Sequence, residues 1–305
     1  RVEQGSWHKN FASARNDALA RVDADWVLVL DADEWIAAGA EALAALRSVA
    51  PAFLGVVTVE NLFDDAAGAT ALSPSWIARL LPRGVRYAGR VHEQPDTSMP
   101  RRRVSLRVRH DGYLSAVMRD KRDRNRRLLE RALHEHPDDA YLHYQLGKDL
   151  ELAGDTAAAL PHYRRGLTGC DTAAVWRHDL VLRLIYVLKK QGQHAEALAL
   201  VRAEAARWGE SPDFHFAVGD LLLDWAAAEP ARGAALVPLI EASWQRALDV
   251  GERPDLPDSV RGRGSYLAAH NLAVLQGGLG RHDLARQWRE REAALRQALA
   301  EPDFG

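Results

Sequence analysis

The sequence predicts an α/β domain followed by an all-α helical-repeat domain, and three observations carry that reading. Up to about residue 115, short apolar or alternating runs are interleaved with helical patches and with Gly, Pro and Asp turns, the pattern of helices layered on a sheet. From Ala116 onward Ala, Leu, Arg and Glu dominate and β-branched clusters are few, a helical composition. Within that second half, small and large apolar residues return at similar intervals, as they do where helix pairs stack. The expected organisation is 1–115 as the α/β domain, 116–136 as a basic connecting helix and 137–305 as the repeat domain.

In the first part, Phe11, Ala14, Ala18 and Val22 recur at helical spacing. Trp26 to Leu30 is an unbroken apolar run and reads as a buried strand, residues 38–48 are Ala/Leu-rich and read as a helix, and Phe53 to Phe63 and Trp76 to Leu81 read as strands. Val104, Leu106 and Val108 alternate with Ser105, Arg107 and Arg109, the period of a half-buried strand. Arg119 to Arg131 is strongly basic. It could bind phosphate or nucleic acid, but a solvated connecting helix is the preferred reading, because Asp120, Asp123 and Glu130 offset the charge and no aromatic residues are interleaved.

In the helical half, Leu146-Gly147, Leu150, Gly154, Ala159 and Tyr163 form one set, and Leu184, Leu188, Gly192, Ala197 and Val201 a second. Val218-Gly219 and Leu222 open a third, irregular unit whose second helix is expected around Trp244 and Ala247, and Leu272, Gly280 and Ala285 make a fourth. These spacings resemble tetratricopeptide repeats over roughly residues 137–300, with a generic helical bundle as the alternative. In either case each helix pair leaves an apolar face that its neighbour must cover. The Pro- and Gly-bearing stretch 251–264 is expected to be an exposed loop, and Trp176, Trp208, Trp225, Trp244 and Trp288 to serve as packing residues.

Composition excludes several classes. With 47% hydrophobic and 27% charged residues the chain is globular rather than disordered. A formal charge of −2 gives no global field toward nucleic acid or a membrane surface, so either partner would need a local patch. No apolar run approaches the ~20 residues of a transmembrane segment, and no signal-peptide pattern opens the chain. The lone Cys170 excludes an internal disulfide and suggests a cytoplasmic protein. The spacings of zinc, P-loop and serine-hydrolase motifs are missing.

The strongest chemical signal is Asp31-Ala32-Asp33-Glu34 directly after the apolar run. Crowded carboxylates repel one another unless cations compensate them, and the end of a strand is where open α/β sheets bind ligands. A D-x-D pair offers hard oxygen donors that suit Mg²⁺ or Mn²⁺.

Trp7-His8-Lys9-Asn10-Phe11-Ala12-Ser13-Ala14-Arg15-Asn16, followed by the strand and its D-x-D, resembles the central region of family 2 glycosyltransferases with the GT-A fold. Ala78-Arg79-Leu80-Leu81, Tyr87-Ala88-Gly89-Arg90-Val91-His92-Glu93 and His110-Asp111-Gly112-Tyr113 resemble later elements of the same group, in the same order, over about residues 1–135. The resemblance implies a partial GT-A (Rossmann-like) domain that transfers a sugar, with inversion, from a nucleotide-sugar donor to a protein, peptide or glycan acceptor. It implies that Arg15, Asp31 and Asp33 bind the donor and that Asp33, with His110, holds a divalent metal, Mn or Mg. An inverting displacement needs a general base. Glu93 is the first candidate, after a Gly-containing turn at a strand end, with Glu34 and Asp111 as alternatives.

The resemblance also implies a nucleotide-base-binding strand, helix and strand ahead of Arg1, so that roughly 50–60 residues of the domain would lie outside this sequence. The second functional reading is a non-catalytic repeat protein that binds a partner through the helical array and carries a partial glycosyltransferase domain.

Overall fold

The computed structural model describes residues 7–64, 70–110, 118–256 and 259–300, and the chain divides into two compact units, Arg1–Leu146 and Gly147–Gly305. The first contains α1 (Phe11–Leu19), β1 (Trp26–Leu28), β2 (Glu34–Ala38), the short α2 (Glu41–Ala45), β3 (Leu54–Asp64), β4 (Thr70–Pro82), β5 (Tyr87–Ala88), β6 (Gln94–Pro95), β7 (Arg101–His110) and α3 (Met118–Glu135). Five of these strands form a mixed sheet in the order β1-β4-β3-β7-β2, in which β3 and β7 are parallel and the other neighbours antiparallel. β5 and β6 form a separate two-stranded ladder.

Both faces of the sheet carry apolar side chains. Leu54, Ala78 and Leu81 pack with Ala12 and Leu19 of α1, while Val57, Val59, Leu80, Leu106 and Val108 pack with Leu46 and Phe53. The alternation expected around residue 106 is realised: Leu106 and Val108 are fully buried and Arg107 and Arg109 exposed. One element differs from expectation. A strand, β2, begins at Glu34, and the helix expected from residue 38 starts only at Glu41. The cause is Gly39, whose φ of +80° turns the chain where a Cβ would collide with the Ser105 carbonyl. The basic segment lies in α3, which buries Leu128, Leu129 and Ala132 and places Arg124 over the Phe11 ring at 5.4 Å.

In the helical half, α4 (Ala140–Leu152) runs across the division and is followed by α5 (Thr156–Gly169), α6 (Arg177–Lys190), α7 (His194–Trp208), α8 (Pro212–Ala228), α9 (Gly233–Val250), α10 (Tyr266–Gly278) and α11 (His282–Ala300). Repetition shows in the turns: Gly154, Gly192 and Gly280 close the α4–α5, α6–α7 and α10–α11 hairpins at φ of +87°, +66° and +73°. It shows also in the crossings, where Gly147 lies flat against the buried Tyr163 ring and Gly219 against the buried Trp244 ring. The third hairpin has no such glycine and turns through the 3-10 segment Pro230–Arg232, the irregularity expected there.

The stretch 251–264 is more than an exposed loop. The fully buried Asp213 of α8 accepts hydrogen bonds from the Val260 backbone and from Arg263, each at 3.0 Å, and Glu252 accepts from the Gly262 backbone at 3.0 Å. A buried carboxylate needs such partners, and Asp213 Oδ1 finds them here, which ties the connection down.

Two outcomes test the packing. Gly219→Ala should destabilise the helical unit by about 1–3 kcal/mol, because the rigid Trp244 indole cannot yield to a Cβ, whereas Gly278→Ala, which faces open space, should be neutral or slightly stabilising. Chemical denaturation distinguishes them. The second concerns His215, whose imidazole pKa is pushed down by burial even though the ring bonds the Gly209 carbonyl at 2.9 Å. As pH falls through the ordinary imidazole range the unfolded chain takes up this proton before the folded one does, so stability present at neutral pH is lost on acidification. Unfolding at about pH 7.5 and about pH 5.5 should show this loss, and His215→Gln should reduce it.

Candidate functional site

Four stretches far apart in sequence meet at the end of the sheet. The first is α1, capped by Asn10, whose side chain accepts from the Ser13 backbone at 3.0 Å. Its successive residues Arg15 and Asn16 have separate tasks. The Asn16 amide clamps β5, donating to the Tyr87 carbonyl at 2.9 Å and accepting from the Tyr87 N–H at 2.8 Å. Arg15 reaches over the Tyr87 ring and bonds the carboxylates of Asp31, at 2.7 Å, and Glu93.

The second stretch is the turn between β1 and β2. The Glu34 N–H donates to the Asp31 carbonyl at 3.0 Å while the Asp31 N–H donates to the Glu34 carboxylate at 2.9 Å, so the acidic motif closes on itself. The third is Arg79. The β3–β4 register slips between Gly55 and Val56, which pair with Leu80 and Ala78, and Arg79 is the extra residue on β4. Such a bulge re-aims a side chain. Arg79, 7% exposed, donates to Asp31 at 3.0 Å and to Glu34. The fourth is the Gly89–Gln94 connection, which carries Glu93 and takes positive φ at Gly89 (+98°) and His92 (+52°).

The outcome is a chain of charge, Glu93–Arg15–Asp31–Arg79–Glu34, with the Glu34 side chain 2% exposed and that of Asp31 38% exposed. Burial disfavours the charge on Arg15, but Asp31 and Glu93 outweigh it and hold its pKa above the ordinary guanidinium value. Burial pushes the Tyr87 phenol pKa up, so it stays protonated at neutral pH. Of the four buried side-chain polar atoms that have no hydrogen-bond partner among the described residues, two lie here, Arg79 Nε and Tyr87 OH; the others are Asn125 Oδ1 and Asp213 Oδ2. Beside this chain, Asp33 Oδ2 lies 3.3 Å from His110 Nε2, brought there by the β2–β7 pairing that sets Glu34 opposite His110. Among the described residues, no group of three or more His, Cys, Asp and Glu side chains is placed to hold a metal ion.

The structure thus brings Arg15, Asp31 and Glu93 together, and Asp33 together with His110. Glu34 is buried in its bond to Arg79, and Asp111 lies outside the described residues. Sequence reasoning gave no role to Arg79 or Tyr87. Both lie within motifs that carry the resemblance, Ala78–Leu81 and Tyr87–Glu93, and Arg79 is besides a lone arginine in an otherwise apolar strand. A cavity of about 550 Å³ adjoins the same connection, lined among others by Arg90, His92, Gln94, Glu135 and Tyr141.

No protein-family model matches the chain. A TPR repeat-containing protein of Synechococcus elongatus is 32% identical over 202 residues, 61% of this chain and 49% of that protein. The SPbeta prophage-derived glycosyltransferase SunS of Bacillus subtilis is 23% identical over 204 residues, 64% of this chain and 48% of that protein. The chain therefore spans about half the length of the curated relatives it matches. Among solved structures, MamA from Desulfovibrio magneticus aligns over 61% of this chain and 92% of its own at 17% identity and a TM-score of 0.46. YrrB aligns over 61% and 80% at 14% and 0.43.

The buried charge chain predicts a stability effect. Arg79→Met leaves Glu34 without its guanidinium and should cost about 3–5 kcal/mol, and adding Glu34→Gln should restore part of that loss. A double-mutant cycle by denaturant titration reads the coupling directly.

Proposed function

We propose that the first unit is the part of a nucleotide-sugar-dependent glycosyltransferase that binds the donor's diphosphate and orients the acceptor, and that the helical repeats receive the protein, peptide or glycan acceptor. The observation that supports this most is the convergence of Arg15, Asp31, Arg79 and Glu93 from four separate stretches, with Asp33 and His110 beside them. Stability alone does not require a half-exposed Asp31 held by two guanidiniums. The unpartnered Arg79 Nε and Tyr87 OH fit donor phosphate or ribose oxygens, since leaving each unbonded costs about 1–3 kcal/mol. The distant likeness to a glycosyltransferase agrees with this reading.

In this proposal the acceptor's nucleophilic atom attacks the anomeric carbon from the face opposite the leaving group, and the bond to the nucleoside diphosphate breaks. The acceptor proton passes to Glu93, and Arg15 and Arg79 offset the negative charge that develops on the diphosphate. Asp33 and His110 would supply a hard oxygen and an imidazole nitrogen, a donor pair suited to Mn²⁺ or Mg²⁺. When bound, such a cation acts as a Lewis acid on the leaving diphosphate. The buried Cys170 is compatible with a cytoplasmic setting, and no helix among the described residues is long and apolar enough to cross a membrane.

A second reading, an interaction module without catalysis, draws on the higher identity to a repeat-containing protein. One measurement separates the two. Release or transfer of sugar from nucleotide-sugar donors, assayed with Mn²⁺, should fall on the order of 100-fold in Asp33→Ala and in His110→Ala. Activity unchanged in Asp33→Ala would overturn the enzymatic reading.

A further inference from the structure

One face of the sheet carries a stripe of charge that the proposed chemistry does not use. β7 turns Leu106 and Val108 inward, so Arg101, Arg103, Ser105, Arg107 and Arg109 lie on its other side, and all five are exposed. Nine residues of strand, eight steps, carry these four guanidiniums along roughly 26 Å. Glu60 on β3 pairs with two of them, 3.3 Å from Arg107 and 3.1 Å from Arg109. Two indoles stand on either side of β7. Trp35 lies opposite Arg109 on β2 and is 42% exposed; Trp76 on β4 is 38% exposed, with Arg103 stacked over its ring at 4.0 Å.

We propose that this face docks on an anionic lipid bilayer. Charge complementarity selects the occupant: guanidinium forks match phosphodiester oxygens, and exposed indoles flanking them sit well at the headgroup level. The chain's overall charge of −2 makes this patch a local exception rather than part of a basic surface. Single-stranded nucleic acid could also meet arginines and aromatics on a sheet, but it needs open ring faces for its bases. Arg103 covers a face of the Trp76 ring. Strands carrying these arginines within a five-stranded sheet also do not enter a duplex groove as a helix or a two-stranded ribbon does.

The test is co-sedimentation of the full chain with vesicles of phosphatidylcholine alone and with about one third phosphatidylglycerol. Binding is expected only to the anionic vesicles and should weaken as salt rises. Arg101→Gln/Arg103→Gln, which leaves both guanidiniums paired with Glu60 in place, should reduce it roughly 25-fold, at about fivefold per arginine. Glu60→Gln should strengthen binding, a gain that misfolding cannot imitate. Equal binding to both vesicle types, indifference to these variants, or binding of a single-stranded oligonucleotide without binding of vesicles would each overturn the proposal. None of these residues belongs to the proposed donor site, so the two readings fail independently.

Discussion

Asp31 is held between two guanidiniums, and most of the geometry around it follows from that constraint. Carboxylates taken out of water must be paired, and here Asp31 and Glu34 share Arg79 while Asp31 and Glu93 share Arg15. Each arginine is therefore a bridge between elements rather than a partner to one. Arg15 ties α1 to the β1–β2 turn and to the Gly89–Gln94 connection, and Arg79 ties the same turn to β4. A turn rich in like charges would repel itself open; cross-linked in this way it is fastened to α1 and to β4.

The helical unit answers a different constraint, that a helix hairpin cannot bury its own apolar face. Glycine recurs at two places for two reasons. At Gly154, Gly192 and Gly280 the backbone turns through positive φ, which side-chain-bearing residues adopt at a cost. At Gly147 and Gly219 the need is space, since aromatic rings lie where a Cβ would stand. Trp244 and Tyr163 are buried because those glycines let the rings approach the backbone. The same sequence feature, a periodic small residue, thus reports both where the chain turns and where helices touch.

These differences explain what could be read from the sequence. The hairpins were legible because their determinants are local: a glycine at a turn and an apolar stripe at helical spacing sit within one hairpin. The alternation around Leu106 was legible for the same reason. Sheet order and the bulge at Arg79 were not, because register depends on the partner strand, and one slipped residue redirects a side chain without altering the local pattern. β2 escaped notice because polar residues precede it and Gly39, which ends it, acts through a collision with Ser105, far along the chain. Arg15, Asp31, Asp33, Glu93 and His110 were singled out individually, but that Arg15 joins Asp31 to Glu93 is a tertiary fact. So is the partnership of Asp33 with His110, which rests on the β2–β7 register.

The two aspartates of the motif, two positions apart, consequently differ in kind. Asp31 faces two permanent cations, one of which, Arg15, is held charged even more firmly than usual, so its field is largely cancelled within the protein. Asp33 faces the His110 imidazole, 3.3 Å from its Nε2. Asp31 is thereby committed to orienting arginines, and Asp33 stands apart from that pair of guanidiniums, beside His110. Under the proposed transfer chemistry this division has a direct meaning: the arginines that Asp31 positions and the cation that Asp33 would attract both answer the same charge, that of the departing diphosphate, from two sides of one turn.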